Sequence, residues 1–297
     1  MAIVTKINNS NLVDNQESSV LDYIALTKPR VMSLVVFSAI VGIFMSPYSI
    51  GFFQSFVIIL CVCLGSGASA AINMWYDRDI DAIMTRTQDR PIVKGRIEPD
   101  EALAFGIILA FFSVFILYVC VNSLSALLMI FAIFIYVFIY TIWLKRTSTA
   151  NIVIGGASGA IPPMIGYAGA SGGIDLMSIS MFLIIFLWTP PHFWSLAILR
   201  QSEYKKCNVP MLPVIRGDHY TKIQIVIYVI LTVISSLTPY FLGKVDNLYL
   251  VASILLGIYF LYISLKLLYN SCKAYFVFTY SIIYLFSIFT FMMIDKL

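Results

Sequence analysis

Long apolar runs alternate along the chain with short polar interruptions. Runs of roughly 18 to 22 residues, the length of helix that crosses about 30 Å of hydrocarbon, fall at 31–48, 52–73, 103–121, 124–143, 151–168, 177–198, 223–242, 248–268 and 275–294. The pattern predicts an all-α polytopic membrane protein, a bundle of nine transmembrane helices. Two runs depart from a plain apolar helix: the fifth is rich in Gly and carries Pro162-Pro163, and the sixth carries Pro190-Pro191. Residues 1–22 are polar and read as a flexible cytoplasmic segment. Residues 23–297 read as one transmembrane domain, opened by Lys28-Pro29-Arg30, where Pro suits a helix's first turn.

Composition agrees with the membrane class: 60% of residues are hydrophobic, 11% are charged, and the mean hydropathy is +0.92. Basic residues accumulate on the cytoplasmic side of short loops. With the N-terminus cytoplasmic, all 19 Lys and Arg except Lys244 and Lys296 fall inside, which puts the C-terminus in the periplasm. The net charge of +4 then reflects topology and gives no reason to invoke nucleic acid. Five cysteines are scattered without a C-x-x-C pair, so neither disulfides nor zinc are expected. The first residues lack the character of an organelle presequence or a cleaved signal, which points to a bacterial inner membrane. Two long inward loops, 74–102 and 199–222, are separated by an even number of crossings. Both can close over one cavity at the cytoplasmic face, and loops on a rigid scaffold are where function concentrates.

Asn73, Asp77 and Asp81 recur every four residues where the second run ends, a spacing that lines them along one helix face. The alternative is a solvated interfacial turn. Acids grouped at a membrane border are costly unless a cation offsets them, and the cation that suits oxygen donors beside a diphosphate is Mg²⁺. Eight residues of ideal helix separate Asn73 and Asp81 by ~12 Å, so one ion cannot touch both. The arrangement suits two ions bridged by a diphosphate, or a helix that bends near Asp77. Asp79 lies off the shared face and reads as structural.

Other inward-facing groups gather at the same depth. Arg86 and Arg90 could pair with phosphate oxygens, Arg in bidentate fashion, although topology alone also places bases there. Tyr140 and Lys145 close the fourth helix and Asn151 opens the fifth. Lys145 could neutralise a leaving diphosphate or merely snorkel. The Gly-rich stretch from Gly155 to Pro163 is too dispersed to cradle phosphate and reads as close helix packing with a kink. His192 lies eight residues before Arg200, ~12 Å along a helix from the border. On its own, a His beside Pro190-Pro191 reads as a packing residue.

Four segments together resemble the UbiA superfamily of intramembrane prenyltransferases, in its haem-modifying branch. They are Asn73-x-x-x-Asp77-x-x-x-Asp81 with Arg86-Thr-Gln-Asp-Arg90-Pro; Leu144-Lys145-Arg146 through Asn151 to Gly156; Trp188-Thr-Pro-Pro-His192-Phe-Trp; and Arg200-Gln-Ser-Glu203-Tyr204 through Pro210-Met-Leu-Pro213-Val. The resemblance implies a bundle with a cytoplasm-facing cavity where Mg²⁺, bound by Asn73, Asp77 and Asp81, draws electrons from farnesyl diphosphate until its allylic C–O bond ionises. Lys145 would assist the departing pyrophosphate. Arg86, Arg90, Tyr140, Asn151, His192, Arg200, Glu203 and Tyr204 would contact substrate. The implied acceptor is a vinyl group of haem b, a substrate and not a cofactor, with water capturing the cation to give haem O. The partners implied are these two substrates, the lipid bilayer, and a haem A synthase or terminal-oxidase assembly pathway.

One departure separates the chain from quinone-type relatives, which carry a second Asp-rich motif in the later inward loop. Here that loop offers only Glu203 and Asp218. Prenylation of an aromatic quinone precursor is the rival within the enzymes. A transporter is the rival from another class, but it would carry charges near the midplane of broken helices, whereas these gather at one border.

Overall fold

The computed structural model describes residues 18–297; residues 1–17 of the expected flexible segment lie outside it. Ser19 and Asp22 form a reciprocal capping box, Asp22 N donating to Ser19 Oγ at 3.3 Å and Ser19 N to the Asp22 carboxylate at 3.1 Å. They start α1 (Val20–Leu26), ahead of the lead-in expected from residue 23. The chain then bends by 58° at Thr27-Lys28 into α2 (Pro29–Met45). There follow α3 (Phe52–Tyr76), α4 (Arg78–Ile83), α5 (Pro99–Cys120), α6 (Ser123–Thr147), α7 (Asn151–Ser171), α8 (Leu176–Leu199), α9 (Gln201–Lys206), α10 (Leu212–Phe241), α11 (Asn247–Leu268) and α12 (Ala274–Ile294). Among the described residues eight helices are each long and apolar enough to span, and the bent pair α1–α2 raises the number to nine if taken as one crossing.

The runs locate the spans to within a few residues, with one exception. The stretch expected as the loop 199–222 is largely helical: α9 occupies its first part, and α10 begins at Leu212. Its polar run Arg216-Gly-Asp-His-Tyr-Thr-Lys hides the helix, because Gly217 at φ 79°, ψ 168° swivels the chain between the first turns of α10 and its apolar span.

The helices close into a ring. α3 packs on α5, α2 on the second half of α7, α8 on α10 and α12, and α12 returns to α2. Phe37 stacks on Phe286 at 4.6 Å across that last seam. Lys296 Nζ, just beyond α12, donates to Phe44 O at 2.7 Å and Ser46 O at 2.6 Å, covering the carbonyl end of α2. α7 sits innermost, with 72% of its apolar window buried against 17% for α5, whose Phe111, Phe112 and Phe115 face outward as a lipid-facing stripe should. Small residues let the inner helices touch. A Cβ on Gly166 would stand 2.1 Å from Ala39 O, and one on Gly42 2.0 Å from Pro163 O. In the glycine-rich run, Gly155 packs on the Tyr140 ring of α6 and Gly156 on Thr189 of α8, and the run holds a break, α7 dividing at Ile161 into Asn151–Ala160 and Pro162–Ser171, while Pro190 and Pro191 remain inside one α8.

Candidate active site

Helices α3 and α6 run parallel, and their polar residues match rung for rung. Asn73 Nδ2 donates to Thr141 Oγ1 at 3.1 Å, and one turn on Asp77 pairs with Lys145. The last part of α6, Ile135–Leu144, winds as a π-helix, a form that recurs at functional sites. Beyond it Arg146 donates to Asp79 at 2.7 and 2.8 Å, stands 3.7 Å from Asp77 Oδ1, and lies over the Tyr76 ring at 4.8 Å. That guanidinium holds the Asp79 carboxyl below the usual carboxylate range, and Asp79 is exposed, off the buried face that Asn73, Asp77 and Asp81 share.

The three members of the acidic motif are buried: Asp77 is 0% exposed, and Asn73 and Asp81 are 3% exposed. The helix breaks at Asp77, which ends α3 and begins α4 with φ −89° and ψ 9°. That is the bend the spacing offered as one of its two solutions. Each rung is held by a cation. Lys28 Nζ donates to Asn73 Oδ1 at 2.6 Å, Lys145 pairs with Asp77, and Arg90 pairs with Asp81. Asn73 Nδ2 also donates to Asp77 Oδ2 at 2.6 Å, which fixes the amide with its oxygen toward Lys28. Thr87 anchors the loop that carries Arg90 by donating to Asp81 O at 2.9 Å.

Around the ladder stand groups whose polar atoms are not used within the protein. Asn151 is fully buried at the start of α7, and both its amide atoms lack hydrogen-bond partners. Asp77 Oδ1 and Glu203 Oε2 are likewise buried and unbonded. Such orphans cost roughly 1–3 kcal/mol each, a cost that a polar ligand would remove. Arg86 is exposed, pairs with no acid among the described residues, and lies within electrostatic range of Tyr140 and Tyr204. Tyr140 packs against Gly155, and Tyr204 is buried in α9, where Arg200 pairs with Glu203 at 2.9 Å. The two long loops do meet: Cys207, just after α9, contacts Ile80 O of α4 at 3.8 Å. An open cleft of about 390 Å³ lined by Trp75, Tyr76, Arg78, Asp79 and Arg146 lies between the α3–α4 break and the end of α6.

His192 is not brought to the ladder. Its Nδ1 bonds Ser281 Oγ of α12 at 2.7 Å, and its ring stacks between Trp188 and Phe278 at 4.5 and 4.8 Å. His219 is exposed. The groups that sequence reasoning left out of the site are Thr141, Arg146 and Lys28. Thr141 lies four residues before Lys145, a signal available in the spacing. Lys28 gave no such signal, since a Lys before Pro reads as an ordinary helix start.

The ligand atoms that Asn73, Asp77 and Asp81 offer are all oxygens, which suits a hard cation. Among the described residues no three His, Cys, Asp or Glu converge as a metal cluster. Divalent ions here would be held by the carboxylates of Asp77 and Asp81 and by Asn73, shared between them, with phosphate or water oxygens completing the shells, as is common for Mg²⁺. The free Oδ1 of Asp77 fits that role.

The sequence model of the UbiA prenyltransferase family matches residues 35–287, most of the chain. The chain belongs to the UbiA prenyltransferase family. Within the UbiA family it is 55% identical over 292 residues to the protoheme IX farnesyltransferase of Rickettsia bellii (strain OSU 85-389), covering 97% of each chain. Solved UbiA-type structures share its fold: a digeranylgeranylglyceryl phosphate synthase superposes with a TM-score of 0.79 at 20% identity, covering 93% of this chain and 98% of that one. A UbiA homolog from Archaeoglobus fulgidus bound to DMAPP and Mg²⁺ superposes with a TM-score of 0.70 at 17% identity, covering 93% and 99%.

Proposed function

We propose that this protein transfers the farnesyl group of farnesyl diphosphate to a vinyl group of haem b, with addition of water, giving haem O and pyrophosphate. The observation that carries the reading is the buried, cation-matched ladder of Asn73, Asp77 and Asp81 in a UbiA-family chain whose 55%-identical relative is a protoheme IX farnesyltransferase. Bound Mg²⁺, two ions in this reading, supplies neutralisation of the charge that builds on the leaving pyrophosphate. Asp77, Asp81 and Asn73 hold it. Lys145 and Arg90, which pair with the acids in the free protein, turn to phosphate oxygens of the substrate, and Arg86 joins them. Asn151, Tyr140, Tyr204 and Glu203 supply the remaining polar contacts, and the apolar walls keep water from the allylic cation until the vinyl group has attacked. His192 and Arg200 face haem b, with His192 fixed through Ser281.

The segregation of Lys and Arg supports nine crossings in a bacterial inner membrane, with the ladder end and the N-terminus cytoplasmic and the C-terminus periplasmic. Haem O made there would pass to a haem A synthase or a terminal-oxidase assembly route. The test is the purified protein with haem b, farnesyl diphosphate and Mg²⁺, read by mass spectrometry. Haem O is the expected product; prenylation of a 4-hydroxybenzoate-type acceptor with haem b left unchanged would overturn the assignment.

A further inference from the structure

Lys28 is an odd residue to find where it is. It has φ 52° and ψ 61°, left-handed backbone that a non-glycine side chain rarely takes, and it precedes Pro29, which restricts it further. Conformations of this kind cost about 1–3 kcal/mol and persist where the surroundings impose them, often at functional sites. In this conformation the ammonium reaches Asn73 Oδ1 at 2.6 Å.

Its partner does not account for that cost. Lys145 and Arg90 each face a carboxylate, but Asn73 is neutral, so Lys28 brings a positive charge to the ladder that no acid on its own rung balances. Arg90 and Lys145 stand close enough to repel it, against the attraction of Asp77 and Asp81. A half-buried ammonium in strained backbone, bonded to a neutral amide, is matched only when an anion arrives. It also occupies the one atom of Asn73 that could bind a cation, because Nδ2 is committed to Asp77 and Thr141.

We propose that Lys28 is a diphosphate-binding residue held in reserve on Asn73: it occupies the amide oxygen in the free protein and moves to a phosphate oxygen when a divalent cation takes that oxygen. The proposal rests on the ladder holding metal and diphosphate, as under the proposed function, but not on haem b being the acceptor.

The two roles pull binding in opposite directions. The full-length protein in detergent, with no prenyl or haem substrate, would be titrated with Mn²⁺ and read by the loss of the free-ion EPR signal, then with inorganic pyrophosphate at saturating Mn²⁺. Lys28→Met removes a competitor for Asn73 and an anion ligand at once. It should bind Mn²⁺ alone roughly tenfold tighter and pyrophosphate roughly tenfold weaker, as the loss of one close charge predicts. Lys28→Gly, which takes a positive φ without strain, should behave likewise and guards against a folding defect. Lys28→Arg should keep pyrophosphate affinity near that of the parent. If Mn²⁺ affinity is unchanged or falls in both neutral variants, or if pyrophosphate affinity holds, the proposal is wrong. Because neither titration contains haem, a failed farnesyl-transfer assay with intact Mn²⁺ and pyrophosphate binding would sink the acceptor assignment and leave this one standing.

Discussion

Asp77 is the residue on which the site turns, since it ends one helix, starts the next, and takes Lys145 in a pair whose side chains are 0% and 13% exposed. Removing one half of a buried pair strands the other and costs about 3–5 kcal/mol, whereas replacing both by neutral groups is far milder. Lys145→Met should therefore lower thermal stability in detergent sharply, and Asp77→Asn/Lys145→Met should regain most of it. Neither should regain activity: Asp77→Asn alone should lose on the order of 10²–10³-fold in prenyl transfer, measured as haem O by mass spectrometry. Retained turnover in Asp77→Asn would remove the metal role. At this scale the sequence discloses much. Asn73, Asp77 and Asp81 declare themselves by a four-residue period, and Lys145 by its place at the end of an apolar run. Lys28 does not, because a left-handed turn before Pro29 leaves no periodic trace, and only the tertiary approach to Asn73 gives it meaning.

Hydrophobic runs locate helices well because lipid demands about 20 apolar residues and satisfied backbone. What they do not convey is where polar residues continue a helix. The stretch 212–222 is helical although Arg216, Asp218, His219 and Lys222 interrupt its hydrophobicity, and its fold follows from the Gly217 swivel and from Thr221 being buried. Close packing of α7 was legible in its glycine-rich run, whereas its contact with α2 runs through Gly166 and Gly42, beyond that run, and the tightness of that contact sets a prediction. Gly166→Val would drive a side chain into the Ala39 carbonyl oxygen, 2.1 Å from the first added carbon. Separating two helix backbones should cost about 1–3 kcal/mol or more and lower the melting temperature. Gly159→Ala, where a Cβ meets nothing within 4 Å, is the matched control on the same helix. Equal melting temperatures for the two variants would show that the α2–α7 crossing is slack.

The molecule as a whole is a ring whose seam lies between its first and last spans, closed by Phe37 on Phe286 and by Lys296 on the carbonyl end of α2. The proposed topology puts that lysine in the periplasm with Lys244, opposite the remaining basic residues. An alkaline phosphatase fused after Leu297 should be active and a green fluorescent protein dark; the reverse pattern would mean an even number of crossings.

The parallel register of α3 and α6 bears on how such a chain is made. Asp77 leaves the ribosome well before its counter-ion, for Lys145 follows 68 residues later, with α5 and most of α6 between them. Until the end of α6 emerges, the carboxylate lacks the lysine it pairs with and must wait at the aqueous boundary. The same holds for Asn73, whose hydroxyl partner Thr141 is also 68 positions downstream. A nascent chain stopped before residue 141 thus carries a half-matched ladder, to which the end of α6 brings both Thr141 and Lys145.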